Sequence, residues 1–209
     1  VGGTGSTTIN SNIGTTTGTL TKVGNGTLTL TGTNTYSGTT TVSGGLLKIN
    51  GTNSAASAVA VSPGGALGGT GTVGGAVTVA IGTATVPGGA IDLTDGAVGT
   101  LTLSSSLTFN GTSAFPNSLF FDLGSGVAST DKIVMGGAQS AANANGALVN
   151  LNQLTGSGAV TPGTYILIQG GAPSTFTGYA LATTRSGGNF YSALFSNSNN
   201  LLVTIAAGT

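Results

Sequence analysis

The 209-residue chain has no cysteine, histidine, tryptophan or glutamate. Zinc, haem and iron–sulfur sites need imidazole or thiolate donors, so no cofactor of that kind is expected. A Ser-His-Asp arrangement cannot be assembled without histidine, and no GxSxG surrounds any serine. Zero cysteine is neutral about redox compartment, because both a cytosolic chain and a disulfide-free secreted chain show it. Charge is almost as scarce. Four Lys plus Arg and four Asp give a net charge of 0, where a soluble domain usually carries about a quarter of its residues charged. There is no basic field for phosphates and no acidic field for cations, so nucleic acid is not an expected partner. Long apolar runs are missing too: "AVTVAI" at 76 to 81 falls far short of the roughly 18 residues a membrane-spanning helix needs. The chain opens on Val1 with no basic or apolar leader, which is compatible with export after processing or with an excised segment.

What fills the sequence instead is glycine, 39 residues of it, with Thr, Ser and Asn at most polar positions. Such a composition suits a flexible linker, but the pattern points elsewhere. The runs "TLTLT" (27 to 31), "TTTVS" (39 to 43), "LLKIN" (46 to 50), "AVAVS" (58 to 62), "AVTVAI" (76 to 81) and "TLTLS" (100 to 104) are strand-length, rich in β-branched residues and alternate with period two. Asn-Gly pairs at Asn25, Asn50, Asn110 and Asn145 punctuate them, as expected of corners that use positive φ. The fold is therefore expected to be all-β. Short strands separated by short corners point to a β-solenoid before a sandwich. Charge avoidance then has a cause: side chains of successive coils stack at about 4.8 Å, where like charges repel and hydroxyls, amides and aliphatic groups do not.

Alternation assigns Leu28, Leu30, Val42, Leu47, Ile49, Val59, Val61, Val77, Val79, Ile81, Leu101 and Leu103 to the interior. From about residue 118 the runs lengthen and gain aromatics: "SLFFDL", "GTYILIQ", "NFYSALFS", "NLLVTIA". Three segments follow: an N-terminal strand or assembly segment (1–17), a solenoid repeat region (18–117), and a more aromatic C-terminal β region (118–209), continuous with the solenoid or separate from it. The loop-like "GGAQSAANANG" (136 to 146) lies near that boundary.

Residues 18 to 50 resemble the passenger-associated transport repeat of bacterial autotransporters. The matching positions are Lys22 and Gly24, the strand Gly26, Leu28 and Leu30, then Gly32, the core Asn34, Tyr36 and Gly38, and finally Val42 and Gly45. The resemblance implies a right-handed parallel β-helix at a bacterial cell surface or released outside the cell. Only one clear copy of the repeat is present, and no C-terminal translocating barrel follows it, which leaves the export route open.

Other candidate sites are weak by comparison. Asp92 and Asp95 could form a glycosidase pair, but "TDG" is ordinary turn chemistry. Asp131 and Lys132 could contact calcium or a sugar; a surface pair at a strand start is the simpler expectation, because one carboxylate does not satisfy a hard cation. "GGTGTVGG" (68 to 75) has no following Lys or helix to make a phosphate cradle. Asn34 and Tyr36 could present a sugar-stacking surface, although Asn stacking inside a coil is the commoner use.

The function expected is that of a non-enzymatic extracellular structural or adhesive solenoid that pairs with itself head to tail, without metal or cofactor. Thr7 and Ile9 at one end and Leu201, Val203 and Ile205 at the other are the candidate assembly strands. Cell-surface or matrix glycans are further candidate partners. The alternatives are a monomeric passenger stalk and a polysaccharide-binding or polysaccharide-degrading β-helix.

Overall fold

The computed structural model describes residues 1–136, 143–144, 146–154, 160–170, 176–182, 185–186, 189–197 and 199–207. Among them the secondary structure is short β-strands, without helix. The chain winds repeatedly through three sheets. Thr27–Leu30 lies in the first, Thr33–Asn34 in the second and Thr40–Val42 in the third, and Gly45–Ile49 then returns to the first, hydrogen-bonded beside Thr27–Leu30. Each circuit is one coil of a β-solenoid.

Strict parallel register turns the period-two pattern into files of identical character. On the first sheet Leu28 stands over Leu47, Leu67, Ile91, Leu119, Val149 and Leu181. On the third, Val42 stands over Val61, Val79 and Phe109. Burial of each such side chain stabilises the fold by roughly 1.5–3 kcal/mol, and a slip of one residue would turn the whole file outward. Coils widen toward the C-terminus, from 19 residues between Leu28 and Leu47 to 32 between Val149 and Leu181. Phe109, Phe121 and Tyr165 fill the larger interior. The first-sheet file runs past residue 118 through Asn117–Leu123 and Ala147–Gln153 to Tyr179–Leu181. Most of the stretch 136 to 146 lies outside the described residues.

Eleven of the twelve expected core residues are at most 1% exposed, but Ile81 is 37% exposed. Alternation fails there because the strand Val77–Val79 has ended. Ala80 N–H donates the last ladder bond to the Val61 carbonyl, and the chain then leaves the coil in a tight excursion closed by Thr83 N–H to the Val86 carbonyl. The Asn-Gly corners also differ from expectation. Among the described residues no non-glycine has positive φ, and the positive-φ glycines include Gly24, Gly45 and Gly69 but not Gly26, Gly51 or Gly111. Those Asn-Gly glycines are needed for closeness instead. A Cβ on Gly51 would stand 2.2 Å from the Gly32 carbonyl oxygen of the neighbouring coil.

The two ends are unlike. Residues 1–17 form the first coil: Thr7–Ile9 pairs with Thr27–Leu30, and the carbonyls of Val1, Gly3, Ile13 and Thr16 accept bonds from Val23, Gly26, Thr35 and Ser37. Among the described residues, Thr7–Ile9 has a partner on one edge only, whereas the outer edge of Leu20–Lys22 is met by Val1, whose ammonium donates to the Thr21 carbonyl (2.7 Å) and whose carbonyl accepts the Val23 N–H (2.8 Å). Ile9, Ile13 and Leu20 are only partly covered there. At the other end the second sheet turns antiparallel: Gly163–Gln169 pairs with Asn200–Ala207, which pairs with Asn189–Ser196.

Candidate functional site: a coil-stacking motif and a grooved outer face

Lys22 occupies an inward position of Leu20–Lys22, directly beneath Val42 in the file. It is 2% exposed. Its ammonium donates to the carbonyls of Val23 (3.0 Å) and Gly24 (2.8 Å) in its own corner and to Gly44 (3.0 Å) in the next coil. Burial lowers its pKa, since no carboxylate offsets the lost hydration. The residue is a bolt between two coils. Gly24 and Gly45 supply the positive φ (72° and 63°) that the same corner requires.

Asn34 and Tyr36 lie inside, 2% and 1% exposed. Asn34 accepts the Ile13 N–H (3.0 Å) and donates to the carbonyls of Gly32 and Thr52, so one side chain ties three consecutive coils. The Tyr36 hydroxyl meets Thr40 (2.7 Å), Thr40 meets Ser57 (3.1 Å), and Ser57 donates to the Gly38 carbonyl (2.8 Å). Neither residue can offer a surface to a sugar. Gly26, Gly32 and Gly38 stand where a Cβ would meet the backbone of the preceding coil at 2.0, 2.7 and 2.4 Å. Leu28, Leu30 and Val42 complete the interior. The motif therefore consists of devices for stacking coils, and its glycines are spacing elements.

The carboxylates serve loops. Asp92 accepts the backbone N–H of Thr94 (3.0 Å), and Asp95 pairs with Lys48 (3.3 Å) and accepts the Ala97 N–H. Each has turn or surface partners, as expected of "TDG". Asp131 corrects the sequence expectation: it does not form a surface pair with Lys132. It is 1% exposed and accepts N–H groups of Gly99 (2.7 Å) and Asp122 (2.6 Å). Burial pushes its carboxyl up to about 7, against the two N–H donors that favour the carboxylate. Asp122, wholly buried, accepts the N–H groups of Asp95 and Gly96 and a side-chain bond from Asn152. Together these two acids pin the loop 93–99 to the coils after it. Alternation places Asp122 on the outside of its strand; only the loop folded over it makes it buried, which no local pattern announces. Among the described residues no group of acids is arranged to hold a metal ion.

Lys132 faces outward on the second sheet, where it helps line a groove of about 460 Å³ between the loops 93–99 and 124–131. At the C-terminal end, Leu201, Val203 and Ile205 are at most 1% exposed, and their strand has hydrogen-bonded neighbours on both edges. That strand offers no free edge, so it is not available to an incoming strand. Thr7 is exposed and Ile9 half-buried on a strand with one open edge.

Fold and motif together define a β-solenoid whose conspicuous residues hold coils to one another and do not assemble around a reaction centre. Residues 20–49 match the passenger-associated-transport-repeat family, so the chain carries one such repeat, at the residues whose stacking roles are described above. A stretch of 58 residues is 50% identical to the Adhesin BmaC autotransporter of Brucella suis biovar 1 (strain 1330). That stretch is 27% of this chain and 2% of the relative, so the chain matches a small part of a much longer protein.

Proposed function

We propose that the chain is a segment of a bacterial surface passenger, a non-enzymatic structural or adhesive solenoid whose first coil, at Thr7–Ile9, pairs with another β coil. The observation that carries this is the outer edge of Thr7–Ile9, which has no partner among the described residues, beside the half-covered Ile9 and Ile13. Such an edge is a template for strand addition, and the near absence of charge removes the repulsion that would oppose it. The match to a transport repeat and to an autotransporter adhesin supports a location at or beyond the cell surface. The incoming partner is a second copy of the solenoid, adding end to end. Asn200–Ala207 has neighbours on both edges, so it is not the strand to which the second copy adds.

Negative-stain electron microscopy tests this. Intact protein is expected to show rods several molecules long at high concentration, and the variant carrying Thr7→Lys with Ile9→Lys only single short rods. Short rods from both proteins would reduce the chain to a monomeric spacer.

A further inference from the structure

The groove on the outer face of the second sheet has the chemistry of a ligand site. Its floor is made by outward residues of adjacent strands: Thr100 and Lys132, which are register partners, and Thr164. Val98 and Val127, 43% and 47% exposed, form its two walls at the tips of the loops 93–99 and 124–131. Thr130 completes the rim. Of the described lysines, Lys22 is bolted to carbonyls and Lys48 is paired with Asp95, while Lys132 has neither a carboxylate nor a carbonyl partner. In a chain that avoids charge, a lone ammonium stands between apolar walls among hydroxyls, and no carboxylate lines the groove.

We propose that this groove binds a carboxylated sugar residue of an acidic polysaccharide, with Lys132 taking the carboxylate, the threonine hydroxyls bonding ring hydroxyls, and Val98 and Val127 packing on the apolar ring edges. Three observations select this occupant. The unpartnered cation complements an anion, and a charge-assisted bond in a partly desolvated groove is stronger than one on an open surface. The groove lies in the volume range of small-ligand pockets. From its floor an uncharged hydroxyl track continues along the same face, because Thr102, Thr72, Thr52 and Thr33 are successive register partners. An extended glycan could lie along that track, whereas a fatty chain would be left among hydroxyls. A peptide could not add as a strand here, because Thr100–Leu103 and Lys132–Met135 are paired on both edges. The site is for binding and not hydrolysis, since the nearby Asp122 and Asp131 are buried and occupied by N–H donors.

The test is calorimetric titration, at low salt, of an oligogalacturonide of about four residues, with maltotetraose and octanoate as comparison probes. It is run on the Thr7→Lys, Ile9→Lys protein, so that failure of end-to-end assembly and failure of ligand binding are read separately. The oligogalacturonide is expected to bind at least roughly tenfold more tightly than either comparison probe. Lys132→Met, which keeps the length of the side chain, is expected to abolish that preference while leaving the melting temperature in place. Val127→Asp should weaken binding with Lys132 still present. Equal binding of maltotetraose, tighter binding of octanoate, or no heat at about 10 mM oligogalacturonide would each overturn the proposal.

Discussion

Substitution of Gly51 by alanine probes the stacking of coils directly. Gly51 follows Asn50 at the corner between the first and second sheets, in a file with Gly32 and Gly71. A Cβ at Gly51 would lie 2.2 Å from the Gly32 carbonyl oxygen, and one at Gly71 would lie 2.0 Å from that of Gly51. The φ of Gly51 is not positive, so the cost is contact with the neighbouring coil and not backbone strain. Relief requires the corners to separate by about 1 Å, since ordinary carbon–oxygen contact begins above 3 Å. Ladder bonds cross that gap: Asn50 N–H and Gly51 N–H to the Leu30 carbonyl (2.9 and 3.0 Å) and Thr52 N–H to the Gly32 carbonyl (3.2 Å). Weakening two or three bonds at about 1 kcal/mol each, with overpacking of roughly 1–3 kcal/mol, gives an expected loss of about 3–6 kcal/mol. Two controls separate the causes. Gly14→Ala meets only the Thr35 hydroxyl at 3.8 Å and should be neutral. Gly96→Ala has open space but φ of +86° and should cost about 1 kcal/mol. Urea unfolding followed by circular dichroism gives all three values. If Gly51→Ala lies within about 0.5 kcal/mol of the parent, the close approach of coils is refuted.

Three further outcomes are expected. Lys22→Met leaves the carbonyls of Val23, Gly24 and Gly44 without their shared donor and should cost about 1–3 kcal/mol, part of the loss being offset by removal of a buried charge; an unchanged urea midpoint would show that the bolt is dispensable. Because the folded state holds the Asp131 proton up to about pH 7 and the unfolded chain releases it near 3.8, its contribution is complete below about pH 4 and lost as pH rises toward 7. The melting temperature should fall across that window in the parent and stay level in Asp131→Asn; parallel curves would remove Asp131 as the cause. The double substitution Asp92→Asn with Asp95→Asn, and separately addition of EDTA, should leave the fold and any surface-binding readout intact, because these carboxylates hold turns and Lys48; a drop of about ten degrees in the melting temperature with chelator would reveal a calcium requirement.

Much of the architecture was legible in the sequence because a solenoid's interior is specified locally. Alternation at Leu28 and Leu30 is enough to turn both inward, and repetition at Leu47 and Ile49 stacks them. Alternation carries no notice of where a strand stops, and Ile81 was misplaced for that reason. Asn25, Asn50 and Asn110 stand at corners, but the glycines after them answer to the backbone of a neighbouring coil, Gly26 to Gly5, Gly51 to Gly32 and Gly111 to Gly146, which a turn-based reading does not see. Asp122 and Asp131 escape for a related reason: both accept N–H groups of the loop 93–99, Asp95 and Gly96 for Asp122 and Gly99 for Asp131, and nothing near 122 or 131 signals that this loop folds over them. Strand order at the C-terminus was equally hidden. "NLLVTIA" looks like any edge strand until Gly163–Gln169 and Asn189–Ser196 flank it.

The proposal that this charge-poor solenoid pairs with another coil through Thr7–Ile9 is tested most directly by multi-angle light scattering over a concentration series. The account predicts a mass that rises with concentration in multiples of 19.8 kDa for the intact chain and stays at one multiple for the Thr7→Lys, Ile9→Lys variant. A mass of one chain at every concentration for both proteins would contradict it.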